Sequence, residues 1–183
     1  HGSDRNADDY LSYLEDLDTL VIAPHFQENG PGLYWSSRWR DGNKSLDEER
    51  VSSFEVLDRM VEMYHGAAVV GHSAGGQFVT RYAAGTRMQG LTFIVANPSS
   101  YLYLDRSRPF GSAMTCRDYN EYRYGLEELN DYMSAGVARD YAERDVIYLL
   151  GDRDTNVAHH IWTCYPDGRD PRSFHGNYPE KRE

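Results

Sequence analysis

The chain has 183 residues and carries 19 Lys and Arg against 29 Asp and Glu, a net charge of −10 with neutral histidines. The length suits a single domain, and so acidic a surface repels phosphate backbones and anionic lipid, which argues against nucleic acid and membrane surfaces as partners. The apolar runs, around residues 67–70, 93–96 and 146–150, fall far short of the ~18–20 residues that cross a bilayer, so no membrane span is expected. With 40% hydrophobic residues and 15 Tyr, most of the sequence has the means to form a packed core rather than a disordered chain.

In chain order, residues 7–17 are expected to form a helix. Tyr10, Leu11, Leu14 and Leu17 fall three and four apart, and Asp8 and Asp9 occupy the first turn, where the helix dipole favours acid. Residues 19–23 form a short apolar run closed by Pro24, the pattern of a buried parallel strand. After a loop rich in Gly, Trp and Arg, Ser45-Leu46-Asp47-Glu48 fits a capping box. Phe54, Leu57, Val61 and Tyr64 then continue at helical spacing to a Gly66 cap. Residues 67–70 predict the next strand, followed by Gly71-His72-Ser73-Ala74-Gly75-Gly76 and an amphipathic helix to about Ala84. Residues 91–96 and 146–150 predict two more strands. Strands alternating with helices in this rhythm predict a parallel sheet covered on both faces.

Residues 97–145 are too long for an ordinary connection. They are expected to hold helices and to roof a cleft with Tyr101, Tyr103, Tyr119, Tyr122, Tyr124, Tyr132 and Tyr141. Residues 166–183, with three of the seven prolines and only Phe174 and Tyr178 as apolar side chains, are expected to be a polar surface tail after a domain over 1–165. The start at His1-Gly2-Ser3, without an initiator Met or a leading strand, raises the expectation of a fragment. Cys116 and Cys164 are open to either reading, one disulfide in a secreted protein or two buried thiols in a cytosolic one.

The sharpest chemical signal is Gly71-x-Ser73-x-Gly75 between an apolar strand and a helix. Such a turn forces the serine into a strained backbone conformation and holds its hydroxyl above the sheet beside a helix N-terminus. Glycines flank it because a Cβ would clash where strand reverses into helix. The competing bland reading is that these glycines serve a tight turn and nothing more. After the last strand, Gly151-Asp152-Arg153-Asp154-Thr155 places two carboxylates in a turn, where aspartates are also common for purely local reasons. Read alone, Asp152-x-Asp154 could be the metal-binding pair of a glycosyltransferase, but no nucleotide-binding loop accompanies it. His159, His160 and His175 follow; a zinc role for the first two with Cys164 lacks a fourth ligand. Trp35 and Trp39, with Arg38 and Arg40, could line an acyl or aromatic substrate site or anchor a loop by packing. Tyr101 and the other tyrosines of 97–145 divide in the same way. His72 is expected to pack or orient within the turn, and His25 and His65 to sit in a loop and at a helix end.

These residues resemble the nucleophile elbow of the α/β-hydrolase family, and His1-Gly2 resembles that family's His-Gly oxyanion loop, upstream of Ser73 by a strand and two helices. The resemblance implies a three-layer α/β-hydrolase fold with a mostly parallel sheet and a helical insertion or lid over 97–145. It also implies a serine hydrolase of carboxylic esters that needs no cofactor and no metal. Ser73 would be the nucleophile, Asp154 the triad acid with Asp152 as the alternative, and the backbone N–H groups of Ala74 and of Gly2 or Ser3 the oxyanion donors. The base would be His175 or a histidine beyond Glu183. Substrate contacts would fall to Trp35 and Tyr101, with a small-molecule or polymer ester as substrate. Asn97-Pro98-Ser99-Ser100-Tyr101 and the Gly151–Thr155 turn are similar to secreted feruloyl-esterase and polyhydroxybutyrate-depolymerase hydrolases, which tilts the compartment towards secretion and Cys116–Cys164 towards a disulfide. The rival functions are a ligand-binding domain of the same fold without turnover, and peptidase or acyltransferase chemistry at the same serine.

Overall fold

Three apolar runs, each ended by glycine, asparagine or a turn, become three adjacent parallel strands. The computed structural model describes residues 18–98, 100–106, 119–136 and 141–152. Within them β1 (Ala68–His72), β2 (Thr92–Ala96) and β3 (Asp145–Leu149) lie in the order β1-β2-β3. Val70 pairs with Ile94 and Ile94 with Ile147, with the rest of each strand in step. The helices are α1 (Ser53–Tyr64), α2 (Ala74–Gly85) and α3 (Asp131–Gly136), with 3-10 turns η1 (Ser36–Asp41) and η2 (Tyr141–Glu143). This is a small α/β arrangement, and between β2 and β3 the described residues hold the six-residue helix α3 and the turn η2. No helix among the described residues is long and apolar enough to cross a membrane.

Alternation along the strands divides the sheet. Val69, Phe93 and Val95 are buried on the face that meets α2, whereas Val70, Ile147 and Leu149 on the other face are exposed. Among the described residues the sheet therefore has helical cover on one face, not on both as the strand-helix rhythm predicts. The run over 19–23 is a second correction. It forms no strand, Leu20 is 74% exposed, and β1 has β2 as its only ladder partner among the described residues. A short apolar run has strand propensity but needs a neighbouring edge to supply its hydrogen bonds, and here it has not taken one. The helix expected over 7–17 and the tail over 166–183 lie outside the described residues.

The capping box is real but sits seven residues later than Ser45. Ser52 is the N-cap of α1, its Oγ accepting from the Phe54 N–H while Glu55 Oε2 accepts from the Ser52 N–H. No helix can run from Ser45 because Arg50 has φ +54, in the left-handed region. Ser45 instead closes a loop: its N–H donates to Val51 O and its Oγ accepts from the Val51 N–H. At the other end the chain reverses at His65 (φ +49), one residue before the expected glycine, and Gly66 N–H donates to Val61 O.

Helix α2 is the centre of the packing. Every residue from Gly76 to Gly85 is buried, so the helix is enclosed all round rather than amphipathic. The sheet covers one side through Phe93 and Val95; Phe54 of α1 meets Phe78 and Tyr82, and Trp39 of η1 meets Phe78. Burying α2 on its outer side also buries Arg81, whose side chain is wholly enclosed. Its guanidinium is matched group by group: Nε donates to Arg123 O, Nη2 to Ser100 Oγ and Nη1 to Gln77 Oε1. Nη1 also lies 3.3 Å from Asp41 Oδ1, an ion pair whose angle falls short of a hydrogen bond. Burial pulls the Arg81 pKa below the ordinary arginine range, and the Asp41 charge opposes that shift. The backbone carbonyl of Asp41 in turn accepts from Tyr122 Oη and Asn130 Nδ2. One buried charge pair thus fastens η1, α2 and the segment around 120–130 to each other.

A second polar knot closes the C-terminal end of α2, beginning at Tyr82, the residue after Arg81. The Asp58 carboxylate accepts from the hydroxyls of Tyr82, Thr86 and Tyr132. Burial, reinforced by this carboxylate, pushes the Tyr82 and Tyr132 phenols above the ordinary tyrosine range; burial does the same for Tyr122 and Tyr141.

Two outcomes follow from these knots. Arg81→Met leaves the buried Asp41 with only the partly exposed Arg123 guanidinium, 3.4 Å from its Oδ2, as ionic partner, and urea denaturation should show a loss of about 3 kcal/mol, the low end for breaking a buried pair. Lys44→Ala, which breaks the exposed Lys44–Asp131 pair, should leave the midpoint nearly unmoved. Second, the raised phenol pKa values make the unfolded chain bind fewer protons than the native one once pH passes about 10. The associated stability is complete below that pH and is lost above it, so denaturation midpoints should be flat up to about pH 10 and then fall. Tyr132→Phe should shallow the fall. Tyrosinate absorbance that develops fully near pH 10 in still-folded protein would contradict the assignment.

Candidate functional site

The serine singled out by sequence lies at the tightest point of the chain. β1 ends at His72, Ser73 turns, and α2 begins at Ala74. Ser73 has φ +55 and ψ −114, a conformation that costs a non-glycine residue on the order of 1–3 kcal/mol. The turn is held from both sides. Ser73 N–H donates to Ala96 O at 2.9 Å, and Ser73 C=O accepts from Gln77 N–H at 3.0 Å, the first bond of α2. The N–H groups of Ala74, Gly75 and Gly76 precede that bond, so none has an intrahelical acceptor, and the positive end of the helix dipole lies among them.

The flanking glycines have a steric cause. A Cβ on Gly71 would land on the carbonyl of Gly75 and 2.7 Å from Val79 Cγ2; one on Gly76 would sit 2.8 Å from Ala96 O. The strand passes so close to the first turn of the helix that backbone stands against backbone. Ser73 itself is half-buried, while Ala74 and Gly76 are buried.

The C-terminal ends of the three strands lie side by side. His72 is in register with Ala96 and Ala96 with Leu149, so the residues after the strands, Ser73, Asn97 and Leu150, continue the same line across the sheet. Asn97 N–H donates to Leu149 O at 2.9 Å, and Asn97 Oδ1 accepts from Gly151 N–H at 2.7 Å. Asp152 follows, exposed at this same end of the sheet. The topology therefore brings the Ser73 turn and the start of the Asp152 loop to one edge, with Asn97 between them.

The remaining sequence candidates divide. Trp35 is 3% exposed, its indole N–H donating to Val51 O and its ring packed edge-on against Phe26, so it is spent on the core; Trp39 stacks on Phe26 beside it. Tyr101 is 6% exposed and stacks on Tyr148, whose hydroxyl meets that of Tyr141. Tyr122 and Tyr132 have their hydroxyls on Asp41 and Asp58. Tyr101, Tyr122, Tyr132 and Tyr141 are thus drawn into packing, and the phenols of Tyr122, Tyr132 and Tyr141 each meet a polar partner there. His72 ends β1, His65 caps α1, and His25 is exposed in irregular chain. Gly2, Ser3, Asp154, His159, His160, His175, Cys116 and Cys164 lie outside the described residues. Asn97 was not among the sequence candidates for a role at this edge. The available signal was an asparagine ending an apolar run, the residue type that best tolerates positive φ after glycine.

No model of a known protein family matches the chain, and no curated protein and no solved structure matches it either.

The close approach at the turn makes a direct test. Gly71→Ala should cost about 3 kcal/mol or more, at or above the usual range for overpacking, because the obstacle is backbone that has no rotamer to change. Gly90→Ala, at φ +72 with nothing within 4 Å of the added carbon, should cost only about 1–2 kcal/mol. Equal denaturation midpoints for the two variants would contradict the contact.

Proposed function

We propose that this chain is a serine hydrolase of the α/β-hydrolase type, acting on carboxylic esters with Ser73 as nucleophile. The observation that carries the reading is the Ser73 turn: a non-glycine residue at φ +55 between a parallel strand and a buried helix, with Gly71 against the Gly75 carbonyl. A serine that only linked strand to helix would gain nothing from this strain. A nucleophile gains exposure of its hydroxyl at the end of the sheet and a set of helix-terminal N–H groups beside it.

In this reading Ser73 Oγ attacks the acyl carbon while a histidine removes its proton. The alcohol leaves with that proton, and water then releases the acid from the acyl-enzyme. Ala74 N–H, at the N-terminus of α2, is one donor to the oxyanion, a contribution of about 3–4 kcal/mol to the barrier. Gly2 or Ser3 supplies the second donor, and the base is His175 or a histidine beyond Glu183. Asp154 or Asp152, both after β3 in sequence, orients that histidine. Neither a metal nor a cofactor takes part in these steps. A small-molecule or polymer ester is the substrate class, and the insertion over 97–145 contributes the roof of the site.

A fluorophosphonate probe gives the test. Folded protein should form one adduct, mapped to Ser73, that denatured protein does not form. Ser73→Ala should lower p-nitrophenyl acetate turnover by about 10³-fold or more. Absence of labelling, or turnover unaffected by Ser73→Ala, would sink the hydrolase reading and favour a binding domain of the same architecture.

A further inference from the structure

We infer that Asn97 is a positioning residue that locks the loop carrying the triad acid to the Ser73 turn, an inference that rests on the hydrolase reading above. In a parallel ladder a residue donates its N–H to one carbonyl of the neighbouring strand, and its own carbonyl accepts an N–H two residues further along that strand. Ser73 donates to Ala96 O, and Asn97 donates to Leu149 O, both in ladder fashion. The next bond of a regular ladder would run from Gly151 N–H to the Asn97 main-chain carbonyl. The acceptor is instead Asn97 Oδ1, at 2.7 Å.

The reason is the backbone of Asn97. Its φ is +39, outside the extended region, so the main chain has turned out of the ladder after the N–H has made its bond. The side-chain amide stands in for the carbonyl that the turn takes away. β2 can therefore leave the sheet at Asn97 while β3 remains pinned for two residues beyond its last paired position, up to the residue before Asp152. The hydrogen bonds form an unbroken relay across the edge. Ser73 is tied to Ala96, and the next residue, Asn97, is tied to both Leu149 and Gly151. A displacement of Asp152, which Asp154 follows two residues later in sequence, is thus resisted by the strand that also anchors the Ser73 turn.

Both properties of Asn97 are needed: tolerance of positive φ and an acceptor two bonds beyond Cβ. Glycine supplies the first alone, and aspartate supplies both. Asn97→Gly should lower kcat for p-nitrophenyl acetate, and the rate of fluorophosphonate labelling of Ser73, by roughly 10- to 100-fold with KM little changed, the scale of a displacement of about 1 Å at a reacting group. Asn97→Asp should restore both rates to near those of the unaltered protein. Gly151→Pro, which removes the donor and leaves Asn97 intact, should reproduce the loss and decides the matter if Asn97→Gly does not fold. Unaltered protein labelled at Ser73, with Asn97→Gly or Gly151→Pro labelled equally fast, overturns the positioning role and leaves the hydrolase standing. Unaltered protein that neither labels nor turns over overturns both.

Discussion

The near-contact of Gly71 with the Gly75 carbonyl is the constraint from which the rest of the structure follows. It requires the chain to reverse from β1 into α2 within one residue, and that residue, Ser73, takes the strain. It also draws α2 flat against β1 and β2, with no side chain at Gly71 or Gly76 to hold it off. A helix drawn so close to a sheet has one side buried at once. Its other side is then covered by α1, η1 and the segment around 120–130, which is why almost nothing on α2 reaches water.

Enclosing α2 completely is unusual because the helix is not apolar all round. Gln77, Thr80 and Arg81 are buried with it. The cost of dehydrating such groups is met by partners rather than avoided. Thr80 Oγ1 bonds back to Gly76 O, and Gln77 accepts from both Arg81 and Ser100. Arg81 uses the planar fork of its guanidinium to reach acceptors on three separate stretches of chain, which an ammonium group could not do in one plane. The rigidity this confers lies one and two turns along α2 from Ser73, on the element that has to hold the serine in its strained turn.

What could be read from the sequence was local, and what could not was a matter of partners. β1, β2 and β3 were legible because buried parallel strands are continuous apolar runs bounded by turn residues, and the structure shifts their ends by no more than two residues. The run over 19–23 carries the same signal and is no strand, since propensity does not specify a neighbouring edge. Ser45-x-x-Glu48 and Ser52-x-x-Glu55 are equivalent capping boxes on paper; Arg50 at positive φ decides between them, and nothing in its side chain announces that. The Ser73 turn was legible because its cause, glycines at two fixed offsets, is contained in five residues. The burial of Trp35, the pairing of Arg81 with Asp41 forty residues upstream, and the use of Asn97 as a surrogate carbonyl all depend on segments distant in sequence, and no periodicity encodes them.

The enclosed Arg81–Asp41 pair has a consequence for the way the protein meets dissolved ions. The chain carries ten more negative than positive charges, and most acidic side chains among the described residues face solvent, where mutual repulsion works against the compact state and is weakened by salt over a Debye length of about 8–10 Å. The central pair is shut away from that screening. The two electrostatic contributions are therefore separated in space: one is adjustable by the medium, and the other is fixed by the fold. Rising ionic strength relieves the repulsion at the surface without loosening the charge that fastens the interior, so brackish surroundings favour this architecture over dilute ones.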